Sequence, residues 1–311
     1  MVGGALVLGI GLLGGWLIRT RHVPYDIPAA ARPPASWSQP GPGLSLRSLG
    51  IAGFEVSDGV TTVLLDPTVT RPDPLALIRG PIEADPALGE RWCPRADLIL
   101  VDHAHYDHSL DVGAIARRTG ALVVGSQNVV NLAQSRGVPA ERTRLTHSGD
   151  RFTVGAFTID VRASRHADTP FSKERADPIP VDAGPLRFWQ HRLDEVYAYR
   201  LSAHGVTLWF HPTSTFEPGE LGGLRADTLI SGVTGEPLTP ERVGALLGEA
   251  GARRVLPTHF DNFFQPLSLG LALMPTVDLD AARALYLAVD PTIEWGVLDY
   301  DQQITLPPDQ G

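Results

Sequence analysis

Apolar and polar residues alternate along this chain in short stretches that predict a body of strands and helices. Residues 44–49 alternate with a period of two, as a half-buried strand does, and short apolar runs at 54–56 and 61–65 predict two further strands. The run at 98–101 is apolar throughout, which is typical of a strand that is buried on both faces. The folded body therefore begins near Leu44 with a set of short strands.

Helices and strands alternate over the rest of the body. The pattern predicts helices at 110–119, 128–136, 240–251 and 279–289, and strands at 121–124, 152–154, 157–162, 196–202, 207–210, 228–230 and 254–256, with a last strand near Val297. Residues 168–194 interrupt this order with a charged, proline-rich stretch, which inside a compact domain is typical of a lid or binding loop. The alternation of elements predicts the α/β (α+β) fold class.

An uncharged stretch, residues 2–18, precedes the body and reaches the short end of the ~17–25 residues that a membrane-spanning helix needs. We expect residues 1–21 to form a single-pass N-terminal membrane anchor, residues 22–43 a proline-rich linker and residues 44–311 the functional domain. Two arginines follow the uncharged stretch, and the positive-inside tendency slightly favours a cytoplasmic domain. A cleaved signal peptide and a buried helix are the alternatives.

Composition excludes some classes of function. The chain has 311 residues, of which 43% are hydrophobic, and a formal net charge of -9. An acidic protein without a run of basic residues is a poor candidate for binding nucleic acid, because that affinity depends on neutralising phosphates. Cys93 is the only cysteine, so an intrachain disulfide and a site built from several thiolates are both excluded. The oligomeric state is open.

Four metal-capable side chains lie within six residues, directly after the apolar run 98–101. They are His103, His105, Asp107 and His108. Neutral imidazole and carboxylate groups suit zinc and similar transition metals, and a cluster this dense is costly to bury without a cation. The spacing is far more specific than a lone histidine and predicts a metal site.

Two further histidines occupy equivalent positions. His166 comes just after the predicted strand 157–162, and His259 comes just after the predicted strand 254–256. Taken singly, each is more often an ordinary polar residue than a ligand. Because side chains at several strand ends can converge on one edge of a sheet, we expect both to complete the metal site.

These motifs resemble those of the metallo-β-lactamase-fold hydrolase superfamily. The spacing His103-x-His105-x-Asp107-His108 matches its His-x-His-x-Asp-His signature, and Asp66 matches the acidic residue at the end of an early strand. The resemblance covers the body alone and implies a four-layer αβ/βα sandwich. Within the superfamily the chain is most similar to members around ascorbate-6-phosphate lactonase, whose late metal histidine shares the Pro-Thr-His context of His259.

The resemblance also implies a ligand set. A first metal would be held by His103, His105 and His166, and a second by Asp107, His108 and His259. Asp66 would orient the ligand loop by hydrogen bonds, and Asp102 would either do the same or be solvated. We expect Zn²⁺, one or two per chain, with Mn²⁺ or Fe²⁺ as alternatives.

The chain departs from the superfamily pattern at one position. Most dinuclear members carry a Gly-Asp-Thr element whose aspartate bridges the metals, and Ser214 stands here in its place. Three outcomes are open: one metal only, two metals bridged by water alone, or His211 as a substitute ligand.

The expected activity is metal-dependent hydrolysis. A metal-bound hydroxide would attack an ester, lactone, amide or phosphoester of a small-molecule substrate, in a protein anchored to the membrane. Asp107 is the candidate catalytic residue, which would orient the nucleophile or pass its proton to the leaving group. The main alternative is a non-catalytic metal-binding module of the same fold, and a redox or sulfur-transfer member is a third.

Aromatic and basic residues near the site have two interpretations each. The aromatic residues either line a pocket for an apolar substrate or pack in the core. They are Phe188, Trp189, Phe260, Phe263 and Phe264. The basic residues of the lid either attract an anionic substrate or form a solvated face of that loop. They are Lys173, Arg175 and Arg187.

Overall fold

Two seven-stranded sheets lie at the centre of the protein. The computed structural model describes residues 23–38, 43–168 and 178–308. The strands are β1 Leu44–Gly50, β2 Gly53–Ser57, β3 Thr62–Leu65, β4 Leu98–Leu100, β5 Leu122–Gly125, β6 Thr143–Leu145, β7 Arg151–Val154, β8 Phe157–Ala163, β9 Tyr197–Ala203, β10 Val206–His211, β11 Thr228–Gly232, β12 Arg254–Thr258, β13 Glu294–Trp295 and β14 Gln303–Leu306. One sheet has the order β14-β1-β2-β3-β4-β5-β6 and the other the order β13-β12-β11-β10-β9-β8-β7.

Each sheet combines a parallel half with an antiparallel half. Strands β3 to β6 are parallel to one another, and so are β10 to β13, whereas the remaining neighbours are antiparallel. In each parallel set the carboxyl ends of the strands lie at the same edge of the sheet. That edge is where ligands of open α/β sheets commonly bind.

Seven α-helices accompany the sheets in the described part of the chain. They are α1 Pro74–Arg79, α2 Pro86–Trp92, α3 Tyr106–Ser109, α4 Val112–Thr119, α5 Gln127–Ser135, α6 Pro240–Ala250 and α7 Leu279–Val289. Helix α6 follows the N-cap Thr239 and ends at Gly251, and α4 ends at Gly120; both glycines are left-handed, with φ of +67° and +77°. The predicted ends of these helices are confirmed.

The core has three layers of apolar contacts, which make the molecule a four-layer sandwich. Leu98 and Leu100 of β4 point between the sheets and meet Leu208 and Phe210 of β10, while Ile99 packs outward under the helices. The outer layers pair one sheet with α4 and α5 and the other with α6 and α7. Because both faces of the central strands are covered, their sequences are apolar without a break. The predicted αβ/βα sandwich is confirmed.

Short elements differ from the sequence prediction. The stretch between β3 and β4, expected to be irregular, contains helices α1 and α2, which begin at Asp73-Pro74 and Asp85-Pro86 with the aspartate as N-cap. Helices of six and seven residues are too brief to show a helical period. The helix expected at 110–119 is α4, which begins at Val112, and the separate short helix α3 precedes it.

The described part of the predicted linker packs on the body. Trp37 is 1% exposed, and its Nε1 donates a hydrogen bond to Glu294 Oε2 at 2.7 Å. A Cβ at Gly296 would meet the Trp37 ring at 2.6 Å. Val297 N donates to Ala31 O at 2.8 Å, so this segment adds to the outer layer beside β13. Residues 23–38 thus pack against the folded body, in the part of the chain where a proline-rich linker was expected.

The predicted membrane localisation is contradicted. No helix within residues 23–38, 43–168 and 178–308 has both the length and the apolar character that crossing a bilayer requires. The uncharged stretch 2–18, on which the single-pass anchor and its cytoplasmic orientation were predicted, lies outside the described residues.

Replacing Trp37 tests whether the N-terminal segment is part of the body. We expect Trp37→Ala to lower the free energy of unfolding by about 3–5 kcal/mol, because it leaves a cavity against Gly296 and removes a hydrogen bond. Urea unfolding measures the loss. Val23→Ala, at a side chain that is 63% exposed, is the control. An effect of Trp37→Ala within about 0.5 kcal/mol of the control would contradict the packing.

Candidate metal centre

The site is built from residues that lie within three positions of the ends of four strands. Asp66 follows β3, His103 follows β4 after Asp102, His166 follows β8, and His259 follows β12. These strand ends meet at one edge of the sandwich, where the two sheets face each other. The structure therefore brings together residues that are up to 193 positions apart in the sequence.

Three imidazoles form the first donor group. In His103, His105 and His166 one nitrogen of each ring lies within 4.8 Å of the others. His103 Nε2 is 3.0 Å from His105 Nδ1, and the ring centroids are 4.6–4.9 Å apart. This group matches the predicted first ligand set.

One carboxylate and two imidazoles form the second donor group. The donor atoms of Asp107, His108 and His259 also lie within 4.8 Å of one another. Asp107 Oδ2 is 3.3 Å from His259 Nε2 and 3.8 Å from His108 Nε2. The rings of His103 and His108 are 4.0 Å apart, so the two groups adjoin.

Buried acceptors orient three of the rings. His103 Nδ1 donates to Asp102 Oδ1 at 2.5 Å, and His108 Nδ1 donates to Asp66 Oδ2 at 2.6 Å. His166 Nδ1 donates to the Ala167 carbonyl at 2.7 Å. In each ring the hydrogen bond engages Nδ1, so that Nε2 is the nitrogen that a metal can bind, which is the usual arrangement around protein metal sites. The residues present therefore fit a divalent metal ion in both groups.

Burial and neighbouring charges set the protonation states. Burial and the adjacent imidazoles lower the pKa of His103 well below its ordinary value. Burial raises the pKa of Asp107, but His108 and His259 outweigh it and hold that pKa below its ordinary value. Burial lowers the pKa of His108, but Asp66 and Asp107 raise it to about 9. A metal that binds His108 through Nε2 must therefore displace a proton.

A buried network holds the loop that carries His259. This residue has a φ of +59° and donates its N–H to the Ile51 carbonyl at 2.8 Å. Asp261, two residues on, accepts from Ile51 N at 2.8 Å, from Arg71 at 2.8 Å and from the Tyr300 hydroxyl at 2.7 Å. A non-glycine residue at positive φ persists where its surroundings fix it. Arg71, Asp261 and Tyr300 are distant in sequence and carry no motif, so sequence reasoning missed them.

His211 and Ser214 lie beside the donor groups and are in neither. His211 Nε2 is 2.8 Å from Glu220 Oε1, and its Nδ1 is 3.1 Å from the Thr213 carbonyl. Ser214 Oγ accepts from Glu236 N at 2.8 Å, and the residue lines the cavity described below. With both nitrogens engaged, His211 is not placed as a substitute bridge. Glu220, its partner, was not expected from the sequence.

A cavity of about 730 Å³ opens onto both donor groups. Its walls are mostly apolar and aromatic: Leu77, Ile78, Tyr106, Phe188, Trp189, Phe263 and Phe264. Phe260 is not among them and packs in the outer core. Lys173 and Arg175 lie outside the described residues, and Arg187 stacks over Trp189 at 5.1 Å. Of the lid residues for which a place in the cavity wall was considered, Phe188 and Trp189 do line the cavity.

His191 is a further polar residue of the cavity that sequence reasoning missed. It lies in the lid segment just after residues 188–190, and only 2% of its surface is exposed. No predicted strand precedes it, so its position offered no signal. Burial and, to a lesser extent, Arg136 lower its pKa to about 3, which keeps the ring neutral.

Comparison with known proteins identifies similar chains. Residues 61–260 match the family described as the Beta-lactamase superfamily domain. A metal-dependent hydrolase of Anaeromyxobacter sp. (strain K) is 25% identical over 221 residues, which cover 69% of this chain and 73% of the relative. Another, from Carboxydothermus hydrogenoformans, is 34% identical over 166 residues, which cover 53% of this chain and 60% of the relative.

Solved structures show the same fold. The metallo hydrolase Igni18 of Ignicoccus hospitalis aligns with a TM-score of 0.58 at 15% identity, over 85% of this chain and 98% of the other. The diiron β-hydroxylase CmlA of Streptomyces venezuelae aligns with a TM-score of 0.53 at 13% identity, over 86% of this chain and 55% of the other. These likenesses confirm the fold. The nearness to ascorbate-6-phosphate lactonases stays a prediction.

Removing the buried carboxylates tests how the rings are held. We expect Asp66→Ala to weaken metal binding about 10–100-fold, because His108 loses the acceptor that fixes its tautomer. Asp102→Ala has the same effect through His103. Isothermal titration with zinc measures the affinities, with Asp58→Ala as a control at an acceptor of a distant hairpin. Unchanged zinc affinity in both site variants would contradict the orienting role.

Proposed function

The chain belongs to the β-lactamase superfamily, and from that premise we propose that it is a metal-dependent hydrolase whose active site is the pair of donor groups at the cavity. One observation carries the proposal. Each group offers three protein donors beside a large cavity, and catalytic metal sites typically combine three protein ligands with an open position, whereas structural sites are closed by four.

We assign the metal ligands as predicted from the sequence. His103, His105 and His166 hold one ion, and Asp107, His108 and His259 hold the other. Imidazole-rich sets favour zinc, with Mn²⁺ and Fe²⁺ as the other candidates. Ser214 offers no carboxylate to bridge two ions, so each group holds its own ion with three protein donors.

A bound divalent ion supplies Lewis acidity and lowers the pKa of a coordinated water to about 7. The residues of this chain position the metal ligands and handle the proton of the attacking water. Asp66 and Asp102 hold His108 and His103 in position through the hydrogen bonds to Nδ1. Asp107 lies at the cavity wall, stays ionised, and accepts a hydrogen bond from the attacking water, which it orients and from which it takes a proton for the leaving group.

The cavity supports a small-molecule substrate with a carbonyl centre. Its apolar walls exclude water from the reacting group and pack against the substrate. Over the described residues, neither lysine nor arginine lines the cavity. The metal ions themselves would face the charge of a phosphoester, so the argument rests on the rest of the wall. That wall matches an ester, lactone or amide with an apolar body better than a phosphoester.

Hydrolysis and metal content together test this proposal. We expect the zinc-loaded chain to hydrolyse members of a panel of esters, lactones, amides and phosphoesters. His166→Ala and His259→Ala should each lower the metal content by about one ion per chain and reduce turnover to background. His147→Ala, at a side chain that is 61% exposed, is the control. Mass spectrometry gives the zinc, manganese and iron content.

The substitution Asp107→Asn separates a role of Asp107 in proton transfer from a role in metal binding. The amide oxygen of Asn can still face a metal but cannot take a proton, so for a proton-transfer role we expect turnover to fall about 10²–10⁴-fold with the metal content unchanged. Loss of one ion per chain together with turnover would show Asp107 as a metal ligand and contradict the proton-transfer role. Full metal occupancy without turnover of any compound by the wild-type chain would overturn the hydrolase and favour a non-catalytic metal-binding module.

A further inference from the structure

His191 lines the cavity, and its buried Nε2 belongs to neither donor group. The side chain is buried and lines the cavity, 6.5 Å from the Tyr106 ring between centroids. Its Nε2 has no hydrogen-bond partner among the described residues. It is also absent from both sets of converging metal donors. A buried nitrogen without a partner is unfavourable in native proteins unless something else binds it.

Hydrogen bonding at the other nitrogen fixes the role of Nε2. His191 Nδ1 lies 3.4 Å from Ser109 Oγ. Ser109 Oγ donates its single hydrogen to the His105 carbonyl at 2.8 Å, with the Ala104 carbonyl at 3.0 Å as a second acceptor. The ring also hydrogen-bonds the Ala104 carbonyl, which can only accept, and since Nε2 has no partner among the described residues this bond belongs to Nδ1. Nδ1 is therefore the nitrogen that donates. In the neutral ring, Nε2 is then a lone-pair acceptor.

The surroundings of His191 describe the rest of the ligand. The cavity volume of about 730 Å³ is that of a site for a drug-sized molecule. Leu77, Phe188 and Phe263 present apolar surface. Besides His191 and Tyr106, the charged and titratable lining residues are the members of the two donor groups. A ligand that fills this space is apolar over most of its surface and carries its polar atoms near the metal centre.

We propose that His191 is a substrate-positioning residue whose Nε2 accepts a hydrogen bond from an O–H or N–H group of an otherwise apolar, uncharged substrate. The inference rests on the proposed function in one respect, namely that the cavity is the substrate site. It adds a specificity: a compound with a donor near its reacting group binds better than an isomer without one.

A pair of isomers tests this preference in the zinc-loaded full chain. Octan-1-ol carries one hydroxyl donor, whereas 1-methoxyheptane has the same atoms and none. We expect calorimetry to show the alcohol bound about tenfold more tightly, the size of one neutral hydrogen bond that is otherwise unmade. His191→Leu should abolish the preference with zinc content unchanged. His191→Gln, whose amide oxygen reaches the position of Nε2, should keep most of it, and His147→Leu is the control.

A measurement on the wild-type chain keeps the test independent of folding of the variants. The ¹⁵N resonance of His191 Nε2 should shift on addition of octan-1-ol and stay in place with 1-methoxyheptane. The proposal is overturned if wild type shows no preference, if His191→Leu retains it, or if His191→Leu loses zinc. Because these readouts are of binding, a chain that binds as expected but hydrolyses nothing overturns the hydrolase alone.

Discussion

The hydrogen bond between the Asp66 carboxylate and His108 joins the fold of this protein to its site. Asp66 directly follows β3, and its N–H donates to the Leu100 carbonyl of β4 at 3.0 Å. Its carboxylate accepts from both His108 Nδ1 and the N–H of Asp102. One fully buried side chain thus fixes the strand end, the loop after it and one imidazole. A change at Asp66 is expected to disturb all three.

Burial shifts the pKa values of the residues in the metal centre and also makes their charges costly to keep there. Asp66, Asp102 and His103 are almost completely removed from water, and burial raises the pKa of both carboxyls. Unpaired charges in such a place are unfavourable, so the carboxylates are bonded to imidazoles and the imidazoles face each other. A divalent ion held by these residues would balance the negative charge of the carboxylates. Metal binding and stability of this edge of the sandwich are therefore expected to be linked.

The sequence predicted those parts of the site that lie in local patterns. The cluster from His103 to His108 was visible because four donors follow one apolar run, and His166 and His259 because each follows a strand. The support for His259 was not predictable, since Arg71 and Asp261 are 190 positions apart and meet only through the fold. The packing of Trp37 was not predicted either, because the proline-rich composition around it favours an extended chain. Burial of this one large ring nevertheless decides where the segment packs.

The most direct test of the account is an anomalous diffraction map of the zinc-loaded full chain at the zinc edge. The account predicts two peaks, each about 2.0–2.2 Å from the donor atoms of one group: His103, His105 and His166 for the first, and Asp107, His108 and His259 for the second. Zinc bound elsewhere, with both groups empty, would contradict the account.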